Sequence, residues 1–392
     1  MIARRLTVAA LLSVVLASCG GTDEPETVCD MVAPATVGAE LRGAGAELGG
    51  SLRPRGDESP GLSVCSYRGG DTNARGLNDV ASLLRRRHGP ATVNHVVPLG
   101  PIGKGMAGPK PADGLPPFPP PDREREDPPS PRTVVAVIDT GIDRTLRADD
   151  WLANVRRRDD NIDPLDVLPD HGDGYLDLGA GHGTFTAGIV QQVAPGAELA
   201  VYRALDSDGI GCEVDVAGAM VRAVREGAQI LNLSLGMETL DDQPPVVFEV
   251  ALELIDEEVA KTGQEVLVVA AAGNFGHARP CWPAALRRVI AVGGLTQDLA
   301  PAAWSTRGAW VDCSTIAEGV RSTYVKGREH PQIDPQPDKF RKNAWAVWTG
   351  TSFAAPQVTG AIARIAQEQR VGPRAALGRL FDRQPDVPDY GH

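Results

Sequence analysis

Residues 133–141 read Thr133-Val134-Val135-Ala136-Val137-Ile138-Asp139-Thr140-Gly141. The first six are apolar or β-branched with no polar face, so they predict a strand buried on both sides, as a parallel sheet requires. Similar short runs recur at residues 199–202, 230–233, 266–270 and 289–292. Between them Val214, Ala217, Val221 and Val224 share one helical face, and so do Val247, Val250, Leu254 and Val259, which predicts amphipathic crossover helices. Strand and helix in alternation give an α/β fold, a mostly parallel sheet with helices on both sides. Sites in such sheets form at the carboxyl ends of the strands, where Asp139 stands.

Upstream the chain changes character. Arg4 and Arg5 precede an apolar run over residues 6–17, the charged and hydrophobic parts of an export signal. That run is shorter than the roughly 20 residues that span a bilayer. It ends Leu16-Ala17-Ser18-Cys19 before Gly20 and Gly21, which resembles the lipobox of bacterial lipoproteins, where the cysteine is lipidated and becomes the mature N-terminus. A plain cleaved signal with an incidental cysteine is the other reading of the same residues. Lipidation at Cys19 implies a membrane lipid anchor and an extracytoplasmic location; without it the protein is secreted.

Residues 19–103 form a small N-terminal module or propeptide, expected to be α/β, with an amphipathic stretch at 77–87 and an extended one at 93–97. Cys29 and Cys65 within it are a candidate disulfide in an exported protein. Residues 104–131 are a proline-rich linker; ten prolines fall in the 24 residues 108–131, which favours extended, semi-rigid chain poor in ladder donors. Its role is that of a spacer or of a cleavage site. The α/β domain occupies 132–382 and a polar tail 383–392. The 392 residues carry 39 Lys and Arg against 51 Asp and Glu, a net charge of −12 that opposes a grip on nucleic acid phosphates. Removing residues 1–18 takes away Arg4 and Arg5 and leaves about −14. No Gly-rich phosphate loop of the G-x-x-x-x-G-K-S/T type occurs.

Four short motifs carry chemistry. Asp139 ends the first strand; alone, an Asp near a Gly is equally a turn or a cap. His182 lies in Gly181-His182-Gly183-Thr184 ahead of a helical stretch over 185–193. Asn274 follows Ala271-Ala272-Gly273 after a strand, an ordinary turn position by itself. Ser352 lies in Gly350-Thr351-Ser352-Phe353-Ala354-Ala355-Pro356, which opens a helix to about Gln369. Proline is tolerated in that first turn because its amides have no intrahelical partner.

Taken together, the order Asp139, His182, Asn274, Ser352 with these flanks resembles the subtilisin-like serine peptidases over residues 132 to about 370. The resemblance implies a three-layer subtilisin-like fold and a serine endopeptidase. Ser352 would attack a peptide carbonyl, His182 would take and return the proton, and Asp139 would hold the imidazole tautomer. Asn274 would join the backbone amide of Ser352 in stabilising the oxyanion. Ser234, Leu235 and Gly236 match the edge on which the family pairs an extended substrate, with Ala271 to Gly273 forming the opposite wall of the S1 cleft and Cys281 near its floor. That implies a medium-sized neutral side chain before the cleaved bond.

The family alignment also brings Cys281 near Cys313, an expected disulfide that leaves Cys212 unpaired. Relatives often bind calcium, but Asp159, Asp160, Asp163, Asp166, Asp170, Asp173 and Asp177 do not follow an EF-hand pattern and are expected to form a solvated surface loop. The chemistry requires no cofactor, and no metal ligand set is assigned. His88, His95 and His171 are expected at the surface or in loops. The expected partners are a protein or peptide substrate and the membrane, with no nucleic acid; oligomeric state is not legible. Two other functions share these residues: a surface binding or sensing lipoprotein that keeps a peptidase fold, and a transpeptidase using the same acyl-enzyme.

Overall fold

The computed structural model describes residues 29–31, 51–59, 62–68, 95–99, 108–115, 132–167, 172–239, 242–331, 336–382 and 391. The chain divides into two compact units: residues 1–96 with 212–218 and 244–254, and residues 97–211 with 219–243 and 255–392. In the first, the strands Cys29–Met31, Ser51–Ser59 and Leu62–Arg68 form an antiparallel sheet with Leu62–Arg68 central. Also in this unit, His95, a partly exposed loop residue as expected, holds its Nδ1 3.2 Å from Oε2 of the fully buried Glu213. The export signal, Cys19, the stretch 77–87, His88, His171 and the side chains of Cys29 and Cys65 lie outside the described residues.

The second unit holds the main sheet. Its strands are β1 (Val134–Asp139), β2 (Glu198–Arg203), β3 (Ile230–Leu233), β4 (Leu267–Ala271), β5 (Val289–Leu295) and β6 (Cys313–Ile316). They are all parallel, in the order β6-β5-β4-β3-β1-β2. The five expected strands are found to within a few residues at their ends. Every residue of β3 and β4 is buried, as strands covered on both faces must be. The helices are α1 (His182–Val193), α2 (Glu213–Arg225), α3 (Val246–Thr262), α4 (Ala355–Gln369) and α5 (Pro373–Phe381). One face of the sheet, through Val135, Val137, Ile230, Val269 and Val292, packs against Val190 of α1, Val358 and Ile362 of α4 and Ala376 of α5. The opposite face, including Ala136, Ile138, Leu231, Leu233 and Val268, is buried as well.

After β1 the chain adds β2 on one side, then returns to add β3 on the other. Strand order therefore reverses at β1, and the carboxyl ends of β1 and β3 open a crevice there. Beside the main sheet, Val320–Thr323 and Trp345–Trp348 pair antiparallel, and Lys110–Pro111 joins Trp345–Trp348. Part of the proline-rich segment thus does enter a ladder. Pro111 lacks a donor, but Ala112 supplies one, its N–H reaching the Trp345 carbonyl at 2.9 Å.

Candidate active site

Asp139 is the last residue of β1 and Ser234 the first after β3; Ala272, Gly273 and Asn274 follow β4. Three neighbouring strands therefore deliver their next residues to one edge. His182 begins α1, after Gly181 in a left-handed conformation (φ 77°). Its Nδ1 lies 2.8 Å from Asp139 Oδ1 and 2.9 Å from Oδ2, with both residues buried. The helix comes this close to the strand end because Gly183 has no side chain: a Cβ there would collide with the Gly141 carbonyl. Thr140 ties the two pieces together, its hydroxyl accepting from the Gly183 N–H at 3.1 Å and donating to Asp163 Oδ2 at 2.8 Å.

Ser352 sits in the short turn Thr351–Phe353 just before α4, and Pro356 falls in the first turn of that helix. The neighbouring Phe353 ring packs 5.2 Å from the imidazole of His182, and Trp348 covers it edge-on at 5.3 Å. Ser352 Oγ donates to the Ser234 carbonyl at 3.1 Å and makes no hydrogen bond to His182 in this arrangement. Ser234 Oγ in turn donates to the Ser352 carbonyl at 2.6 Å and accepts from Asn232 Nδ2 at 2.9 Å. Asn232 Oδ1 accepts from Thr359 of α4 at 3.0 Å, which closes a fully bonded buried network.

Asn274 is oriented by Thr351. Its Oδ1 accepts from both the backbone N–H and the hydroxyl of Thr351, each at 2.9 Å. A backbone N–H can only donate, so the atom facing it is oxygen, and the Asn274 amide nitrogen is left to donate elsewhere. Asn274 Nδ2 makes no hydrogen bond among the described residues, and it lies 3.3 Å from where a Cβ on Gly350 would stand. An acid, an imidazole, a hydroxyl and an uncommitted amide donor, on rigid elements at one sheet edge, are the parts that acyl transfer requires.

Residues 234–236 and 271–273 face each other across Cys281. A Cβ on Gly236 would approach Cys281 Sγ to 2.6 Å and one on Gly273 to 3.0 Å, so the thiol lies between the two walls. Met237 and Trp282 exchange backbone hydrogen bonds and fix that arrangement. Leu235, Gly236 and Ala271 are buried. The pairing expected of the cysteines is not found: Cys281 and Cys313 are free, and Cys212 is disulfide-bonded. Cys313 starts β6 and packs in the main core with Val292 and Ala317, whereas Cys281 is committed to the Gly236 and Gly273 walls. Burial pushes both thiols up, away from the reactive thiolate.

The acidic run is not uniformly the solvated loop expected of it. Asp163 is 2% exposed and accepts from Thr140 Oγ1, from Gly181 N at 2.9 Å and from Leu165 N at 3.1 Å. Burial raises its carboxyl to about 7 against the lowering effect of those bonds, and the nearby Asp139 pushes the same way. Asp177, 6% exposed, accepts from Val167 N at 2.9 Å and from the Ser207 hydroxyl. Among the described residues no group of three or more His, Cys, Asp or Glu side chains could hold a metal ion. Sequence alone assigns Thr140, Asn232 and Thr351 no role, and it names Asp163 only as one member of the acidic run. Thr140 and Thr351 adjoin motif residues, which is a usable signal; Asn232 and Asp163 carry none.

Residues 130–377 match the profile of the subtilase family. A thermophilic serine proteinase from Bacillus sp. (strain AK1) is 32% identical over 266 residues, 65% of this chain and 58% of that protein. Subtilisin BL from Lederbergia lenta is 32% identical over 199 residues, 48% of this chain and 64% of that one. Thermitase from Thermoactinomyces vulgaris is 29% identical over 268 residues, 65% and 83% respectively. The chain thus spans less than two thirds of the first two relatives. Among solved structures, a lanthipeptide protease aligns with a TM-score of 0.51 at 26% identity, covering 66% of this chain and 84% of that one.

Proposed function

The chain belongs to the subtilase family, and from that footing we propose that it is an exported serine endopeptidase, held at the membrane by a lipid on Cys19. The observation that carries the catalytic reading is the buried 2.8 Å contact of His182 with Asp139 at the sheet edge that also holds Ser352 and Asn274.

In the proposed reaction Ser352 Oγ leaves its bond to the Ser234 carbonyl and adds to the carbonyl carbon of a peptide while His182 accepts the proton. Asp139 holds Nδ1 so that Nε2 is the basic nitrogen and then stabilises the imidazolium. The new oxyanion takes hydrogen bonds from Asn274 Nδ2 and the Ser352 N–H. Collapse breaks the carbon–nitrogen bond, His182 protonates the leaving amine, and water repeats the sequence on the acyl-enzyme. An amine in place of water would make the protein a transpeptidase by the same steps.

The test is labelling of the full chain by a fluorophosphonate probe, compared with Ser352→Ala. Ser352-dependent labelling is the expected result. Its absence in both chains would favour the alternative, a surface binding or sensing lipoprotein.

A further inference from the structure

Part of the proline-rich segment is built into the second unit as a strand. Lys110 and Pro111 pair antiparallel with Val347 and Ala346, and the ladder runs on to Ala112, whose N–H donates to the Trp345 carbonyl at 2.9 Å. That bond makes residues 112 and 345 a hydrogen-bonded pair. By the antiparallel alternation Pro111 and Ala346 are then a non-bonded pair, and the N–H that proline lacks is one this ladder does not use. Ala112 is 6% exposed and packs in one apolar cluster with Trp151 and Trp345, against which Val347 also rests. Lys110 Nζ reaches Asp338 Oδ2 at 2.9 Å, an exposed pair that adds little. The hold on the segment therefore comes from the ladder and the buried methyl group.

The two strands it joins frame the site. Trp345–Trp348 pairs on its other side with Val320–Thr323, whose side chains hold the start of α1. The Ser322 hydroxyl donates to the Phe185 carbonyl at 2.7 Å and the Thr323 hydroxyl to the Thr184 carbonyl at 3.0 Å. Tyr324, the next residue, donates its hydroxyl to the Ala180 carbonyl at 2.9 Å, so His182 is held from both sides along the chain. Trp345–Trp348 ends in the ring that covers His182, and the chain then leads into the turn Thr351–Phe353 that carries Ser352. Arg147 donates to the Tyr324 and Ala344 carbonyls and fixes the end of this ribbon where those two residues leave it. Residues 110–112 hold its middle. Two antiparallel strands alone are marginal in water, and a third is what makes such a ribbon stable.

Resting on the endopeptidase reading above, we propose that Lys110–Ala112 is a positioning strand of the active enzyme, which steadies the ribbon that aligns His182 with Ser352 and is therefore kept in the active form. The proline-rich segment is then not one uniform spacer. Its residues up to 112 work with the peptidase domain, and processing that frees the N-terminal module leaves an active product only when it cuts before residue 110. A cut beyond residue 112 takes the third strand away with the module and loosens the site, so the place of cleavage decides between activation and loss of activity.

The experiment uses the full chain and compares Ala112→Pro, which removes the ladder donor, with Ala112→Gly, which keeps it, and with Ala112→Asp, which sets a charge beside Trp151 and Trp345. Ala112→Pro is expected to lower kcat and the rate of Ser352 labelling by a fluorophosphonate about tenfold, with KM changed by no more than about twofold. Ala112→Gly should recover most of that loss and Ala112→Asp should deepen it; if Ala112→Asp misfolds, the proline and glycine variants carry the comparison. Hydrogen exchange at residues 345–348 should quicken in Ala112→Pro while that of β4 stays slow. Parent values of kcat and labelling rate in Ala112→Pro overturn the positioning role, and so does a loss carried by KM alone. A fully active form, separated under reductant from residues 1–112 and shown by mass to begin beyond them, overturns the retention of the strand. Failure of the parent to label at Ser352 overturns the endopeptidase reading itself.

Discussion

Ser234 and Ser352 are locked to each other in both directions: the Ser352 hydroxyl donates to the Ser234 carbonyl at 3.1 Å, and the Ser234 hydroxyl donates to the Ser352 carbonyl at 2.6 Å. The second bond fixes the backbone of the turn Thr351–Phe353. The first parks the Ser352 hydroxyl on the segment that follows β3, one rotation of the side chain away from other partners. The segment after β3 and the turn that carries Ser352 are thus one hydrogen-bonded body, and Asn232 and Thr359 extend that body into β3 and α4.

Asn274 and Thr351 give a graded test of the oxyanion site. Asn274→Ala removes a donor used in the transition state, so kcat should fall about 10²- to 10³-fold with little change in KM. Thr351→Val keeps the backbone N–H to Asn274 Oδ1 but removes the hydroxyl, which donates to Asn274 Oδ1 and accepts from the Gly273 N–H at 3.1 Å. The amide then rocks without leaving, and kcat should fall by a smaller factor, on the order of tenfold. Steady-state kinetics on one peptide substrate separates the two. An equal loss in both variants would mean that Thr351 acts through folding of the turn.

Asp163 gives the protein a pH-dependent stability. Its folded carboxyl is raised to about 7 from an ordinary 3.8, mainly by burial. The folded state therefore holds a proton that the unfolded chain has released. This contribution is complete below about pH 4, declines between pH 4 and 7, and is gone above 7. The slope in that window is about −1.4 kcal/mol per pH unit from this one group. Asp163→Asn does not titrate there, so denaturant unfolding from pH 4.5 to 8 should show a flatter profile for the variant. A parent slope that survives the substitution would assign it to other groups.

The parts of the fold that were legible in sequence are those decided by burial on both faces. Strand β4 is a continuous apolar run, β1 is one up to its terminal Asp139, and β3 is one broken only by Asn232, and such runs are best buried as strands covered on both faces. Strand β6, Cys313-Ser314-Thr315-Ile316, was not legible: it is an edge strand with only its first residue buried, and its serine and threonine read as loop. In the site, the motif residues were legible because each is hemmed by glycine or alanine that its approach demands. Asp163 was not, because it is one acid in a run of seven and only its contacts with Thr140 and Gly181 distinguish it. The pairing of Cys281 with Cys313 was implied by the resemblance alone, and it fails because Cys313 packs in the main core while Cys281 is seated between Gly236 and Gly273.

The proposed S1 cleft would take its width from Gly236 and Cys281. A methyl group on Gly236 would stand 2.6 Å from Cys281 Sγ and 3.3 Å from the Trp282 carbonyl, so one wall must move. Gly236→Ala should lower kcat/KM for leucine before the cleaved bond about tenfold or more and spare alanine there. Adding Cys281→Ala should restore part of the loss, since the two side chains then share the same space. A double-mutant cycle measures that coupling, and strictly additive effects would place the obstruction elsewhere.

On the proposed reading, Cys19 decides where the protein resides. Export of the full chain in a bacterial host should send the parent to the membrane fraction and incorporate labelled fatty acid, while Cys19→Ala should be released. The peptidase domain should unfold at the same temperature in both, because residue 19 lies far outside residues 130–377 in sequence. A parent that fractionates as soluble protein without labelled lipid would restore the plain signal-peptide reading.

The cysteines change what cleavage of the linker can achieve. Six occur in the chain, at 19, 29, 65, 212, 281 and 313. Cys281 and Cys313 are free and Cys212 is bonded, while the other three all precede residue 104. Cutting anywhere in residues 104–131 is therefore expected to leave two pieces joined through Cys212, with release requiring a reductant as well as a protease. Cleaved protein should run as one band on a non-reducing gel and as two after reduction, and Cys212→Ser should separate in both. In the same digest Cys281 and Cys313 should resist iodoacetamide in the folded protein and react once it is denatured without reductant, as buried protonated thiols do. Two bands without reduction from the parent would show that the N-terminal piece leaves freely once the linker is cut.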